Sequence, residues 1–300
     1  MLLSSISNIS DGVQIIKDDY FDTLGLTSNK YIDERVLVFL NDLKYLHEFE
    51  VNSNIACVIC VKDIAKIINN KKDIGICVTA NPKKLFFEFH NYLFKNTRFY
   101  GEKKANKIAK SAKIHPSANI GESNITIGKK TIIEANVTIL NNVEIGENVV
   151  IRAGTVIGSE GFQFVRTSDE VIPVFSAGGV KIHDNVEIQS NTCIDKGVFK
   201  GNTEIGQYTK VDNLVHIAHD VKMGKRCMIV ASSLIAGRVR IKDGVWIGAS
   251  ASVSNGISIG NDARISIGSV VTKDVMDNQT VTGNFAIEHK KFIEFIKTIR

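Results

Sequence analysis

The amino-acid sequence predicts a mainly β protein in which a solenoid of stacked six-residue units follows a small N-terminal α/β domain. From Ile205 to Val271, an aliphatic residue or Met occupies every sixth position without interruption. A period of six fits neither a helix nor an alternating strand, and it indicates a short strand and a tight turn that repeat. Residues 1–112 lack this period and residues 283–300 have helical spacing, so we assign the solenoid to residues 113–282.

Each six-residue unit buries one aliphatic side chain, and it must stack on its neighbours because it cannot bury that face alone. The predicted inward positions form three series, which are Ile127, Ile133, Ile139, Ile145, Ile151 and Ile157; Ile182, Ile188 and Ile194; and Ile205, Val211, Ile217, Met223, Ile229, Ile235, Ile241, Ile247, Val253, Ile259, Ile265 and Val271. The period breaks at residues 159–181 and 195–204. We expect these breaks to be loops that carry binding residues, as loops on rigid scaffolds often do.

The N-terminal region mixes strand-like runs with amphipathic stretches. The runs VLVFL, IACVICV and IGICVT read as strands, and DIAKIINNKK and NPKKLFFEFHNYLFK read as helices. This pattern predicts a small α/β domain over residues 1–112. At the other end of the chain, one short amphipathic helix is predicted from the spacing of Phe285, Phe292, Phe295, Ile296 and Ile299.

The composition favours a globular protein with an anionic small-molecule substrate. Hydrophobic residues make up 44% and charged residues 23% of the chain, and the formal net charge is +5. This mild excess does not indicate nucleic-acid binding, but it suits a sugar nucleotide or coenzyme A. No run approaches the roughly 18 apolar residues of a membrane-spanning helix, and the N-terminus has no basic leader, so we expect a cytoplasmic protein without a transmembrane segment.

Several motifs make the chain similar to one known family. They are VFLNDLKYL (38–46), IHPSANIG (114–121), IGSEGFQF (157–164), NTCIDKG (191–197), KVDNLVHIAHDVKMG (210–224) and IAG (235–237). Over nearly its whole length the chain resembles the UDP-3-O-acylglucosamine N-acyltransferases of lipid A synthesis. The resemblance implies a left-handed parallel β-helix with three hexads, roughly 18 residues, per coil. It also implies a homotrimer in which the neighbouring subunit completes the active site, and no permanently bound cofactor.

The resemblance makes His219 the general base. An ammonium cannot attack a thioester, so a base must take the proton of the amine, and histidine titrates in the right range. His216 is expected to be a substrate-binding neighbour and the second candidate for the base. The alternatives are a surface histidine, or a metal site that uses both histidines. We expect no metal, because no carboxylate or cysteine joins them at ligand spacing.

Three further residues are predicted to surround the base. Gly237 follows His219 by 18 residues, one coil further along, where its N–H would stabilise the oxyanion; the alternative is a plain turn glycine. The resemblance implies that Asp212 orients His219, and Asp212 could instead bind substrate. It also places Asn213 among the substrate-binding residues.

The resemblance implies that aromatic and polar residues nearer the N-terminus bind the nucleotide. Phe39 is expected to stack on a uracil that Asp42 and Tyr45 also hold. The family usually has Asn where Asp42 stands, and Phe39 could simply belong to the core. Phe162 and Phe164 are expected to line the sugar-nucleotide pocket.

The acyl donor is where the chain departs from the family. The family has a Gly-His pair where this chain has Asn255 and Gly256, and residues 245–275 resemble coenzyme A-dependent sugar acetyltransferases. Gly256 and Lys273 are therefore expected to bind an acyl-CoA, and the acceptor is expected to be a nucleotide-linked amino sugar for O-antigen or capsule. One alternative is the lipid A enzyme itself, with acyl carrier protein as donor. Another is a non-catalytic or metal-dependent hexapeptide-repeat protein.

Overall fold

The computed structural model describes residues 1–29, 33–69, 72–283 and 286–298. The chain divides into two compact units. The first contains residues 1–103 together with 160–178 and 197–201, and the second contains the remainder, beginning at Lys104.

The first unit is an α/β structure built on one five-stranded sheet. Its strands are β1 (Gln14–Lys17), β2 (Thr23–Leu24), β3 (Val36–Leu40), β4 (Ile55–Cys60) and β5 (Gly75–Val78), in the spatial order β1-β5-β4-β3-β2. Strands β2 to β5 are parallel neighbours, and β1 is antiparallel to β5. The helices are α1 (Leu46–Val51), α2 (Lys62–Ile68) and α3 (Pro82–Asn96), with 3-10 helices at Leu3–Asn8 and Leu43–Tyr45.

Strand β4 is buried along its whole length, because apolar side chains cover both faces of the sheet. Cys57 belongs to the hydrophobic cluster that contains α3, and Cys60 belongs to the cluster that contains α2. The two thiols of this CxxC sequence therefore point to opposite faces, as the alternation of a strand requires. Asn81 begins α3 by accepting a hydrogen bond from the backbone N–H of Lys84.

The central parts of the two interruptions, residues 160–178 and 197–201, belong to the first unit, which differs from the predicted division. Residues 160–178 contain a hairpin of two strands, Phe164–Arg166 and Val171–Pro173. Val165, Ile172 and Phe199 are buried in the same cluster as α3, and the Phe199 ring packs on Phe86 at 5.7 Å. These segments therefore complete the core of the first unit. The solenoid also begins earlier than residue 113, with the strand Lys107–Ile108.

The second unit is a left-handed parallel β-helix with three faces. The first face contains Lys107–Ile108, Ile125–Ile127, Val143–Ile145, Gly179–Ile182, Asn202–Ile205, Lys222–Met223, Arg240–Ile241 and Ser258–Ile259. The second contains Lys113–Ile114, Ile132–Ile133, Val150–Ile151, Glu187–Ile188, Lys210–Val211, Met228–Ile229, Trp246–Ile247, Arg264–Ile265 and Thr280–Val281. The third contains Asn119–Ile120, Thr138–Ile139, Val156–Ser159, Cys193–Asp195, His216–Ile217, Leu234–Ile235, Ser252–Val253 and Val270–Val271.

The predicted hexad positions form the core of this solenoid. Every residue of the three series is buried within a single hydrophobic cluster. Neighbouring coils are in register, so that Ile217 pairs with Ile235, 18 residues further along. Many corners between the faces have a positive φ, and Asn142, Asn148 and Asp220 are examples. Asn and Asp tolerate this conformation better than most residues, so these corners can turn without glycine.

The C-terminal helix α4 spans His289–Thr298 and presents Phe292, Ile293 and Phe295 to solvent. Two of the residues from which it was predicted, Phe285 and Ile299, lie outside the described residues. Among the helices that the structure describes, none combines the length and the apolar character needed to cross a membrane.

Candidate active site

His219 lies at a corner of the solenoid, two residues after the end of the strand His216–Ile217. Its side chain is 15% exposed, and its Nδ1 atom lies 2.9 Å from Oδ2 of Asp220. An ionised carboxylate can only accept a hydrogen bond, so in the neutral imidazole this contact places the proton on Nδ1 and the lone pair on Nε2. This is the tautomer that a general base needs.

Asp220 is fixed in position by its own backbone contacts. It has a φ of 60°, its N–H donates to Thr203 Oγ1 at 2.9 Å, and its carbonyl oxygen accepts from Arg240 Nη1 at 2.6 Å. The corner conformation directs the carboxylate back onto the preceding histidine. Asp220 therefore holds the His219 ring, as carboxylates beside catalytic histidines often do.

Asp212 does not occupy the place that was predicted for it. Its Oδ1 accepts hydrogen bonds from the backbone N–H and the side-chain amide of Asn213, both at 2.8 Å. Its Oδ2 accepts from the N–H of Ala231 at 3.2 Å. The prediction that Asp212 orients His219 is corrected, because Asp220 occupies that position. Asn213 is exposed, and its Oδ1 accepts from the N–H of Ser190 at 3.1 Å.

Gly237 lies against the His219 ring on the next coil. A Cβ atom at Gly237 would lie 2.7 Å from both Nε2 and Cε1 of His219. Only glycine leaves room for the imidazole, and the 18-residue register had predicted this proximity. Within the described part of the chain, no backbone or side-chain acceptor pairs with the Gly237 N–H. The role of that N–H at an oxyanion stays a prediction.

A second group of polar side chains lies beside the histidines on the third face. Asp195 is only 3% exposed, and Ser159 Oγ donates to its Oδ1 at 2.7 Å. Its Oδ2 lies 3.5 Å from His216 Nε2, and its Oδ1 lies 3.8 Å from Cys193 Sγ. Burial raises the pKa of Asp195, and hydrogen bonding to Ser159 and the charge of His216 oppose that rise.

The sequence analysis had not assigned a role to Asp195, although it lies within the NTCIDKG motif. Cys193 pairs with His216 across neighbouring strands, yet the two residues are 23 positions apart because residues 197–201 leave the solenoid. The regular spacing of 18 residues between neighbouring coils therefore does not predict that Cys193 and His216 are paired. A carboxylate and a cysteine therefore lie beside His216, which the expectation of no such group near the histidines did not foresee.

The predicted uracil site lies in the first unit. Phe39 is half-buried and packs on Phe86 with the ring centroids 5.1 Å apart, so it contributes to the core. Asp42 caps a 3-10 helix by accepting from the N–H of Lys44 at 3.0 Å, and hydrogen bonds to Lys44 lower the pKa of Asp42. Tyr45 is exposed, and the Lys44 ammonium lies 5.0 Å from its ring centroid.

The remaining predicted residues are accessible to ligands. Phe162 is 91% exposed, and its ring lies 4.9 Å from that of Phe164, which is also exposed. Gly256 has a φ of 75°, and a Cβ there would meet nothing within 4 Å. Its N–H donates to the carbonyl oxygen of Gly237 at 3.0 Å, so the two glycines lie on neighbouring coils. Lys273 is exposed.

Comparison with known proteins identifies the repeat and the family. Residues 124–159 and 202–237 match the family described as bacterial transferase hexapeptide (six repeats), and residues 238–273 match the hexapeptide repeat of succinyl-transferase. A UDP-3-O-acylglucosamine N-acyltransferase 2 of Legionella pneumophila (strain Paris) is 33% identical over 313 residues, which cover 94% of this chain and 89% of that protein. The chain belongs to the UDP-3-O-acylglucosamine N-acyltransferase family.

Other members of the family match over shorter stretches. The relative in Caulobacter sp. (strain K31) is 37% identical over 139 residues, which cover 46% of this chain and 41% of the relative. The relative in Wolinella succinogenes is 35% identical over 170 residues, which cover 56% of this chain and 53% of the relative. These alignments span about half the length of the two relatives. An Arabidopsis UDP-N-acetylglucosamine acyltransferase shares the fold, with a TM-score of 0.54, 24% identity, and coverage of 60% of this chain and 62% of that one.

Proposed function

We propose that the protein transfers an acyl group from a thioester donor to the free amino group of a UDP-3-O-acylglucosamine. His219 Nε2 takes a proton from the amine as its nitrogen attacks the thioester carbon. The tetrahedral oxyanion then collapses, the C–N bond remains, the C–S bond breaks, and the imidazolium returns its proton to the leaving thiolate. The observation that carries the proposal is the His219 ring, held at Nδ1 by Asp220 with Nε2 beside Gly237.

Two features favour this reaction over a non-catalytic scaffold. A scaffold has no need of a partly buried Asp–His pair whose other ring nitrogen lies beside a glycine, whereas acyl transfer needs both a base and space for the thioester. The names of the relatives favour the 3-O-acylated glucosamine of lipid A synthesis as acceptor. They favour it over the O-antigen or capsule amino sugar that the sequence analysis preferred.

The glycine at position 256 favours a second candidate donor, a short acyl-CoA. Because Gly256 has no side chain, the surface of the coil beside it is open. The positive φ of Gly256 would strain a histidine at this position. Lys273 is exposed one coil further along and could meet a phosphate. Acyl carrier protein remains the other donor, because α4 carries Lys290, Lys291 and Lys297, which suit an acidic partner. The homotrimer implied by the resemblance stays a prediction.

A competition assay tests both the reaction and the donor. The protein is incubated with UDP-glucosamine, with or without a 3-O-acyl chain, and with hydroxybutyryl-CoA and a long-chain hydroxyacyl carrier protein together. Mass spectrometry then identifies the product. We expect an amide only on the 3-O-acylated sugar, and its mass identifies the donor. If no donor forms an amide with either sugar, the proposed function is wrong.

The role of Asp220 gives a second prediction. Asp220→Asn should lower kcat roughly 10–100-fold, because an amide holds the Nδ1–H tautomer less firmly and stabilises the imidazolium less than a carboxylate does. Asp212→Asn should cost less, since Asp212 contacts Asn213 and Ala231. Steady-state kinetics of both variants, with thermal unfolding as a check on folding, compare the two carboxylates. A larger kcat loss in Asp212→Asn would restore the original assignment.

A further inference from the structure

We infer that Cys193, Asp195 and His216 form a binding site for one divalent transition-metal ion of the Zn²⁺ class. One ligand atom of each residue lies within 4.8 Å of the others. The inference concerns the protein without substrate, and it does not depend on the proposed acyl transfer.

The distances between the ligand atoms fit a tetrahedral ion. Zn²⁺ binds thiolate sulfur at about 2.3 Å and imidazole nitrogen or carboxylate oxygen at about 2.0–2.2 Å, so the ligand atoms of a tetrahedral site are about 3.4–3.6 Å apart. In the structure, His216 Nε2 and Asp195 Oδ2 are 3.5 Å apart. Cys193 Sγ and Asp195 Oδ1 are 3.8 Å apart. The three ligand atoms lie within 4.8 Å of one another, so they must approach by up to roughly 1 Å to share one tetrahedral ion.

The backbone holds these ligands rigidly. Cys193 and His216 are paired residues of neighbouring parallel strands, and the buried Ile194 and Ile217 follow them in the core. The Ser159 hydroxyl donates to Asp195 Oδ1. Hydrogen bonds of this kind orient carboxylate ligands and strengthen metal binding. The site is therefore largely preformed, and the unfolded chain would not reproduce it.

Solvent can reach the site, which leaves a fourth coordination position for water. The His216 side chain is 42% exposed, whereas that of Asp195 is 5% exposed. An ion would enter past the histidine and contact the carboxylate from the solvent side. A bound cation would also offset the cost of keeping the Asp195 charge away from water.

The chemistry of the ligands selects the type of ion. One sulfur, one nitrogen and one oxygen ligand suit Zn²⁺ or Co²⁺, whereas Mg²⁺ and Ca²⁺ prefer oxygen ligands alone. When the ion binds, the Cys193 thiol releases its proton to solvent and a metal–sulfur bond forms. No electron is transferred, so no oxidant or reductant is required.

Cobalt titration of metal-free protein tests the inference. The protein, kept reduced and without substrate, is titrated with Co²⁺ while the near-ultraviolet thiolate-to-cobalt absorption and the visible bands of tetrahedral cobalt are recorded. We expect one Co²⁺ per chain, displaced by one Zn²⁺. Loss of a hydrogen-bonding partner outside the ligand shell costs about 10–100-fold in affinity, so Cys193→Ser should cost more than about 100-fold. It should also abolish the thiolate absorption.

Cys227→Ser is the matched control, because Cys227 is a buried solenoid cysteine whose Sγ donates to the carbonyl oxygen of Lys242 at 3.1 Å. This variant should bind cobalt as the unsubstituted protein does. If Cys193→Ser does not fold, as judged by circular dichroism, His216→Ala should show the same loss of affinity. The inference is overturned if the unsubstituted protein binds no ion. It is equally overturned if the thiolate absorption survives in Cys193→Ser, or if His216→Ala binds with full affinity.

Discussion

His219→Ala should lower kcat by roughly 10²–10⁴-fold, the range that general-base catalysis contributes. Without the imidazole, the amine must lose its proton to water as it attacks the thioester. The substitution removes a side chain that is 15% exposed at a corner and leaves the aliphatic core unchanged, so the unfolding temperature should change little. Single-turnover kinetics with saturating donor and acceptor measure the effect on the chemical step.

His115→Ala serves as the control for this experiment. His115 is an exposed solenoid histidine whose Nδ1 lies 2.8 Å from Ser117 Oγ, and its loss should leave kcat unchanged. If His219→Ala reacts at the normal rate, the base lies elsewhere. His216→Ala is then the variant to measure, because His216 is the nearest alternative in the same motif.

Gly237→Ala should lower kcat by roughly 10²–10³-fold, within the range that loss of a general base costs. The added methyl group would lie 2.7 Å from Nε2 and Cε1 of His219, closer than real Cβ atoms approach other atoms. The ring must therefore turn away from Asp220, or the methyl group covers Nε2. Either change prevents Nε2 from taking the proton of the amine. The backbone of Gly237 has no positive φ, so alanine introduces no backbone strain.

The Gly237→Ala experiment compares kcat, KM and the unfolding temperature with those of Gly283→Ala. A Cβ at Gly283 would meet nothing within 4 Å, so that variant tests whether alanine itself has an effect. We expect Gly283→Ala to keep full activity. Normal kcat in Gly237→Ala would show that the reaction does not need the space beside His219 Nε2.

The fold could be predicted from the sequence because one physical requirement recurs at a fixed interval. Each hexad must bury an aliphatic side chain, and the series from Ile205 to Val271 does so at every position. The same interval predicted that Gly237 would lie beside His219, since no insertion separates them. The first unit was recognisable from its buried strands, although the pairing order of β1 to β5 was not.

What the sequence could not show depends on contacts between distant segments. The pairing of Cys193 with His216 could not be predicted because residues 197–201 leave the solenoid. They lengthen the sequence interval between the two paired strands beyond the regular spacing. The partner of His219 depends on the direction of one side chain at a corner with positive φ, and sequence spacing does not encode that direction. Asp212 and Asp220 both lie near His219 in the chain, and only the hydrogen bond at Nδ1 distinguishes them.

The first unit has a core assembled from segments that leave the ribosome at different times. Its sheet and α3 are complete by Asn96, but Val165, Ile172 and Phe199 also belong to the cluster around Phe86. The strands between Lys107 and Ser159 are synthesised before those three residues. An N-terminal fragment that ends near residue 103 would expose apolar surface and tend to aggregate. During synthesis, the core of the first unit therefore cannot be completed until the strands between Lys107 and Ser159 have been made.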